Sequence, residues 1–249
     1  MRPRIGITTS TLQRAPEGTV QVSAATHMAY VNCVYQAGGL PLLLPNLPHA
    51  EDAEEIIAHL DGILFSGGGD IDPIYWHEPP HPKLGLIDPM RDTFEFALLH
   101  VALRQDLPIL GICRGVQVMA AATGGDLWQD IPAQCPGSLA HQQPVGSPRH
   151  LPVHDVSVSP DSLLARILWP ENSDRHLLSV NSFHHQAPRN CGRIFSAVAF
   201  SADGLLEALA IPDAYFALGV QWHPEDMTDT DVLHARIFTA FVRAAQARC

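Results

Sequence analysis

Long apolar runs are missing from the 249 residues: none is long enough to span a bilayer. The N-terminal stretch MRPRIGITTS also lacks the apolar core of a secretory leader. Positive charge is scarce, with 15 Lys and Arg against 26 Asp and Glu and a formal net charge of −11. That balance argues against nucleic acid or an anionic membrane surface as a main partner, while leaving the sign of a local pocket open. Cysteine is sparse and unpatterned: Cys33, Cys113, Cys135, Cys191 and Cys249 are odd in number and form no C-x-x-C. A disulfide framework or a cysteine zinc cluster is therefore not expected, and a reducing cytoplasm fits best. Internal repeats and linkers poor in apolar residues are absent too. With 46% hydrophobic residues, the whole of 1–249 is expected to form a single domain around a sizeable core.

What is present is an alternation. RIGITTS reads as a strand, Ala24–Ala37 as a helix stopped by Gly38-Gly39, LPLLLP as a strand and Glu51–Leu60 as a short helix. GILFSGGGD is a third strand breaking into glycines, Arg91–Arg104 has apolar residues at helical spacing, and PILGIC is a fourth strand. This βαβα order predicts an α/β fold with a mostly parallel central sheet and helices on both faces. Ligands in such sheets gather at the carboxyl ends of the strands, where both SGGGD and GICRG fall. The second half predicts extra antiparallel strands in HDVSVS, LLSVNS, RIFSAVAFS, LLEALAI and YFALGVQWHP. Turn signals at Ala202-Asp203-Gly204 and Ile211-Pro212-Asp213 join some of them. A closing helix, Asp229–Ala247, is expected with acids in its first turn. The Pro-rich segments Pro73–Pro89 and Pro132–Pro152 read as surface excursions.

GICRG, Gly111 to Gly115, has the outline of a nucleophile elbow, a sharp strand-to-helix turn that pushes its central side chain out of the sheet. A helix starting there would favour a thiolate at Cys113 over a thiol. A cysteine between glycines also fits a tight core turn, so the local pattern leaves both readings open. A thiolate nucleophile needs a proton-handling histidine held by an acceptor. GVQWHPED offers His223 and Glu225, two apart on an extended segment and hence facing the same way. Zinc at that pair is the weaker reading, since no third ligand stands at a recognisable spacing, and no metal is expected. For the oxyanion, the amide after the nucleophile, that of Arg114, supplies one donor and the Gly67-Gly68-Gly69 stretch is a candidate for another. Cys33 and Cys191 are expected to be packing residues and Cys249 an exposed terminal thiol. Asp70 and Asp72 read as loop caps.

Taken together, GICRGVQ, TGGDLWQDIP, VNSFHHQAP, DGLLEALA and GVQWHPE resemble the class I glutamine amidotransferase-like superfamily. Within it, SGGGDIDPIYW and DPMRDTFEFALL extend the likeness to the γ-glutamyl-γ-aminobutyrate hydrolase family, nearly end to end. The resemblance implies a flavodoxin-like fold without a cofactor and a Cys113, His223, Glu225 triad. It also implies an oxyanion hole from Gly68, Gly69 and Arg114, and a glutamyl contact at Gln117. Asn181, Ser182 and His184 of NSFHHQ are expected to line the pocket. Ala120 and Asp126 depart from the family's usual asparagine and serine or threonine, which opens the question of the preferred leaving amine. The implied reaction is hydrolysis of a small γ-glutamyl amide through a thioester on Cys113, a step of amine catabolism. The alternative is a glutaminase subunit feeding ammonia to a separate synthetase. NSFHHQ and the lack of a fused synthetase domain favour the hydrolase. Surface apolar residues on the helices would permit a homodimer.

Overall fold

The computed structural model describes residues 1–14, 19–171, 174–212 and 214–248. Cys249 and Asp213, and with them the expected terminal thiol and the end of one expected turn, lie outside the described residues. In chain order the elements are β1 (Arg4–Thr8), β2 (Ser10–Arg14), β3 (Gln21–Ala25), α1 (Met28–Gln36), β4 (Leu40–Leu44), α2 (Asp52–Ala58) and β5 (Gly62–Phe65). They continue with α3 (Pro89–Arg104), β6 (Ile109–Ile112), α4 (Arg114–Ala121), β7 (Leu127–Trp128), α5 (Ile131–Gln134) and β8 (His154–Val158). The last are α6 (Leu163–Leu168), β9 (Leu177–Val180), β10 (Ala187–Pro188), β11 (Ser196–Ser201), β12 (Leu206–Ala210), β13 (Ala217–Val220) and α7 (Val232–Gln246).

One nine-stranded sheet, in the order β4-β1-β5-β6-β13-β12-β11-β8-β9, carries strands from both halves of the chain. The first five run parallel and the remaining ladders are antiparallel. The second-half strands therefore extend the same sheet, and β13 joins the parallel side beside β6.

Side chains alternate across the strands, as a sheet covered on both faces requires. Leu64, Leu110, Ile112, Leu218 and Val220 pack under α1, α6 and α7, while Ile63, Phe65, Ile109 and Ala217 pack under α2, α3 and α4. α3 begins where Asp88 accepts a bond from the Arg91 amide, and Pro89 needs no amide partner at the first helical position.

Two boundaries differ from expectation. Residues Gln21–Ala25 form a hairpin strand with Ser10–Arg14, and the helix starts only at Met28. The ladder outweighs the helix preference of Ala24 and Ala25. At the C-terminus the acids stand ahead of the helix: Asp231 caps α7 by accepting from the Leu233 amide at 2.9 Å.

Candidate active site

Four neighbouring parallel strands, β1, β5, β6 and β13, end on the same side of the sheet. The residues leaving those ends are Thr9-Ser10, the glycine loop 66–69, Cys113 and His223. Cys113 is the N-cap of α4, with φ 53° and ψ −106°, a backbone conformation costly for any residue with a Cβ. Its immediate neighbours explain how the turn fits. A Cβ on Gly115 would lie 2.1 Å from the Phe65 carbonyl oxygen, so only glycine lets α4 start this close to β5. Val116 and Gln117 already donate to the Cys113 carbonyl, whereas the amides of Arg114 and Gly115 belong to the helix's free first turn.

Around the thiol the expected partners converge. His223 Nδ1 and Glu225 Oε1 are 2.6 Å apart and buried. Gly67 packs against both Cys113 and His223: a Cβ there would sit 3.6 Å from Cys113 Cβ and 3.2 Å from His223 Cε1. Burial pulls the His223 imidazole down. The negative charges of Glu225 and Cys113, with hydrogen bonds to both, outweigh it and raise the group to about 10. The ring is thus held as imidazolium beside Cys113. The sign follows: a raised value keeps the protonated form below it, and the pair is lost as pH rises through about 10. We expect kcat/KM to hold its alkaline side to near pH 10, and Glu225→Gln to move that limb toward neutrality. A pH–rate profile with an unmoved limb would break the assignment of Glu225 as the holder of the charge.

The glycine loop is oriented from behind. Gly67 donates its amide to Tyr30 Oη at 3.1 Å, and Asp70 donates its own to the Leu86 carbonyl. Among the described residues no protein acceptor takes the amides of Gly68 and Gly69. Arg91 Nη2 donates to the carbonyls of Ser66 and Gly67, each at 3.1 Å, and its Nη1 reaches Ser10 Oγ. A Cβ on Gly68 would fall 2.1 Å from Arg91 Nη1. The guanidinium of Arg114 points away from solvent into Asp92 and Glu95, so its contribution to the cleft is its backbone alone. Neither Tyr30 nor this buried ion network was apparent from the sequence. Tyr30 stands within a segment read only as helix, and Arg91, Asp92 and Glu95 have ordinary helix-surface spacing.

Part of NSFHHQ lies elsewhere than expected. Asn181 is fully buried, and its amide is spent on backbone groups of His223 and Arg149. Nδ2 donates to the His223 carbonyl at 2.9 Å, and Oδ1 accepts from the His223 amide at 2.8 Å. It holds His223 in place instead of lining the cleft. Ser182 and His184 are buried as well, against His141 and the Gln186 carbonyl respectively. Gln117 Nε2 donates to the Gln186 carbonyl and to Gln221 Oε1. At Asp126 the departure has a local reason: its carboxylate takes Arg189 and Asn190. Asp72 caps the following turn at Ile74 as expected, and Asp70 accepts from Gly85. Cys33 is buried, and loss of solvent pushes its thiol up to about 12, which suits a packing residue. Asp226 brings a third donor atom within 4.8 Å of those of His223 and Glu225, which residue spacing had not indicated. Its Oδ2 already accepts from Arg149 at 2.6 Å.

A cleft of about 440 Å³ opens beside these groups, walled by Tyr30, Gly67, Gly68, Arg149, His223 and Glu225. The β2–β3 hairpin contributes Ser10, Leu12 and Ala25 to its rim. Arg149 lies 4.3 Å over the Phe183 ring. Among the described residues no helix is long and apolar enough to cross a membrane.

The comparisons give the family and the fold. The sequence is 39% identical to Protein NtpR of Enterococcus hirae over 98% of this chain and 99% of that one. It is 36% identical to the γ-glutamyl-γ-aminobutyrate hydrolase PuuD of Escherichia coli, over 87% of this chain and 85% of that one. Among solved structures, the glutaminase domain of Trypanosoma brucei CTPS superposes with a TM-score of 0.62 at 18% identity, covering 98% of this chain and 94% of that one. A glutamine amidotransferase of Thermotoga maritima gives a TM-score of 0.61 at 16% identity, covering 99% of each chain. These two show a shared glutamine amidotransferase-type fold. With the family model for Peptidase C26 matching residues 3–225, the chain belongs to the Peptidase C26 family.

Proposed function

We propose that the protein is a stand-alone cysteine hydrolase that cleaves small γ-glutamyl amides such as γ-glutamyl-γ-aminobutyrate. The observation that carries this is Cys113 on a strained elbow, with His223 and Glu225 beside it and a glycine loop facing it. The thiolate adds to the γ-carbonyl carbon, and the amides of Arg114 and the Gly68-Gly69 loop receive the oxyanion. His223 gives its proton to the leaving nitrogen, the C–N bond breaks, and a thioester remains on Cys113. Water then gives a proton to the same imidazole and attacks the thioester, releasing glutamate and restoring the thiolate. The reading needs no cofactor.

Substrate recognition is assigned to the cleft wall. With Nε on Asp226, Arg149 keeps its outer nitrogens for an incoming carboxylate, the group that every γ-glutamyl substrate carries. Arg149→Met is expected to raise KM roughly 10- to 100-fold with kcat little changed, the loss of one charge-assisted contact. Steady-state kinetics check this, and a fall in kcat at constant KM would move Arg149 out of ground-state binding.

The overall test is a panel of γ-glutamyl amides and glutamine assayed for released glutamate, with Cys113→Ala as control. Release from γ-glutamyl-amines supports the hydrolase. Activity on glutamine alone, rising only when cell extract is added, would replace it with the glutaminase-subunit reading.

A further inference from the structure

Against NSFHHQ, three histidines surround one buried carboxylate. Glu207 Oε1 lies 3.3 Å from His141 Nδ1, 3.7 Å from His154 Nε2 and 3.7 Å from His184 Nε2. The side chains are almost wholly withdrawn from solvent, 0% exposed for Glu207, 1% for His141 and His184, and 7% for His154. None of this is needed by the chemistry at Cys113.

The second nitrogen of each ring is already committed. His141 Nε2 faces Asp203 Oδ2 at 3.0 Å, His184 Nδ1 faces the Gln186 carbonyl at 2.9 Å, and His154 Nδ1 faces the Asp155 carbonyl at 3.3 Å. Each outer nitrogen meets an oxygen that can only accept, so each outer nitrogen carries the hydrogen. In a neutral ring the inner nitrogen is then a lone pair. The lone pairs of His141 and His154 and a carboxylate oxygen of Glu207 would converge on one small volume, and such an arrangement repels itself unless a cation sits among them. The same outer partners, a carboxylate and two backbone carbonyls, are what orient histidines around a metal. Further out, Asp203 is fixed by the Leu139 amide at 2.8 Å and by Ser201 Oγ. Ser182 Oγ, 3.4 Å from His141 Nδ1, is a distant competitor for that nitrogen.

Apart from His141 Nδ1, the inner atoms have no other hydrogen-bond partner among the described residues. His154 Nε2, His184 Nε2 and both oxygens of Glu207 are buried without a hydrogen-bond partner among the described residues. Donor atoms of a tetrahedral ion with bonds of ~2.0–2.1 Å stand about 3.3–3.4 Å apart, and those of His141, His154 and Glu207 all lie within 4.8 Å of one another, a set that His184 does not join. A cavity of about 410 Å³, lined by Ile131, Leu139, His141, Gln142 and His184, reaches the cluster and provides an entry path.

We propose that His141, His154 and Glu207 form a binding site for one divalent transition-metal ion of the zinc class. Two imidazole nitrogens and one carboxylate select late first-row ions over magnesium or calcium, which prefer all-oxygen shells. With three protein ligands, the fourth position of a tetrahedral ion falls to water. The ion would tie Glu207 of β12 to His154 of β8 and to His141, with His184 of the 181–186 loop packed against the cluster.

The test is a titration of the chelator-stripped full-length protein with Co²⁺ alone, followed by Zn²⁺ displacement. The expected result is one Co²⁺ per chain with the visible absorption of a four-coordinate ion, quenched by Zn²⁺. The melting temperature should rise by roughly 5–10 °C at a free ion concentration about a hundredfold above Kd. His154→Gln, at the most exposed ligand, should weaken binding at least tenfold, and Asp203→Asn should weaken it roughly 10- to 100-fold. Cys113→Ala should leave the signal intact. Sub-stoichiometric binding by the wild-type protein would overturn the proposal and leave the cluster as histidines protonated against Glu207. A signal lost in Cys113→Ala but kept in His154→Gln would overturn it too, placing the ion among His223, Glu225 and Asp226. The wild-type titration decides even if a variant fails to fold.

Discussion

Cys113→Ala is expected to lower kcat on γ-glutamyl amides by at least about 10⁴-fold while the protein stays folded, because the proposed thioester forms on its sulfur and none of the described residues walling the cleft carries another thiol. What survives is the background supplied by the oxyanion amides and by binding, which act only on attack by water. The same position predicts an inverted order of stability. At φ 53° and ψ −106° any residue with a Cβ stores strain of about 1–3 kcal/mol, whereas glycine adopts such a conformation freely. Cys113→Gly should therefore unfold at higher denaturant than Cys113→Ala, by about 1 kcal/mol, although alanine normally outranks glycine. Paired urea melts and a glutamate-release assay check both halves. Equal stabilities would mean that the elbow relaxes once the thiol is gone, and an active alanine variant would remove Cys113 from the chemistry.

The legible parts of this molecule are those in which chemistry and backbone share a short stretch. Cys113 sits between glycines at a strand end, and His223 and Glu225 follow a strand two residues apart, so local pattern plus strand order is enough to bring them near one another. The parts that could not be read depend on pairings across the chain. Gln21–Ala25 is polar and alanine-rich, and only its register against Ser10–Arg14 makes it a strand. Asn181 looks like a pocket residue within its motif. Its role as a clamp on His223 arises from the three-dimensional course of the 181–186 loop. The Glu207 cluster brings together residues 141, 154 and 184, at no spacing that a motif would reveal. Arg91, Asp92, Glu95 and Arg114 carry four charges of the kind normally found in water, and nothing in the helical period of α3 marks them as interior.

Glu95→Gln is the substitution that tests this network, and it is expected to destabilise the fold by roughly 3–5 kcal/mol. Glu95 is fully buried between Arg91 Nε, at 2.9 Å, and Arg114 Nη1, while Asp92 takes the other end of Arg114. Two guanidinium groups and two carboxylates balance. The glutamine side chain fills the same space and leaves one positive charge uncompensated in the interior. For a chain of this size the loss corresponds to about 6–20 °C in Tm. Burial pushes the Glu95 carboxyl up, but the charges of Arg114 and Arg91 outweigh it and hold the group below the usual glutamate range. A lowered value contributes stability above the unfolded value, near ~4.3, and that stability disappears as pH falls through the folded one. The wild-type protein should thus lose stability on acidification faster than Glu95→Gln. Activity should fall with it even below the melting transition. Arg91 holds the carbonyls of Ser66 and Gly67, and a loosened Arg91 lets the Gly68 and Gly69 amides drift from the oxyanion position. That loss belongs in kcat, with KM little changed. Thermal melts across pH 3–7 and steady-state kinetics at 25 °C separate the two effects. A Tm within a degree or two of wild type would show that Asp92 alone balances both arginines, and the glycine loop would then owe its position to Tyr30 and Ser10.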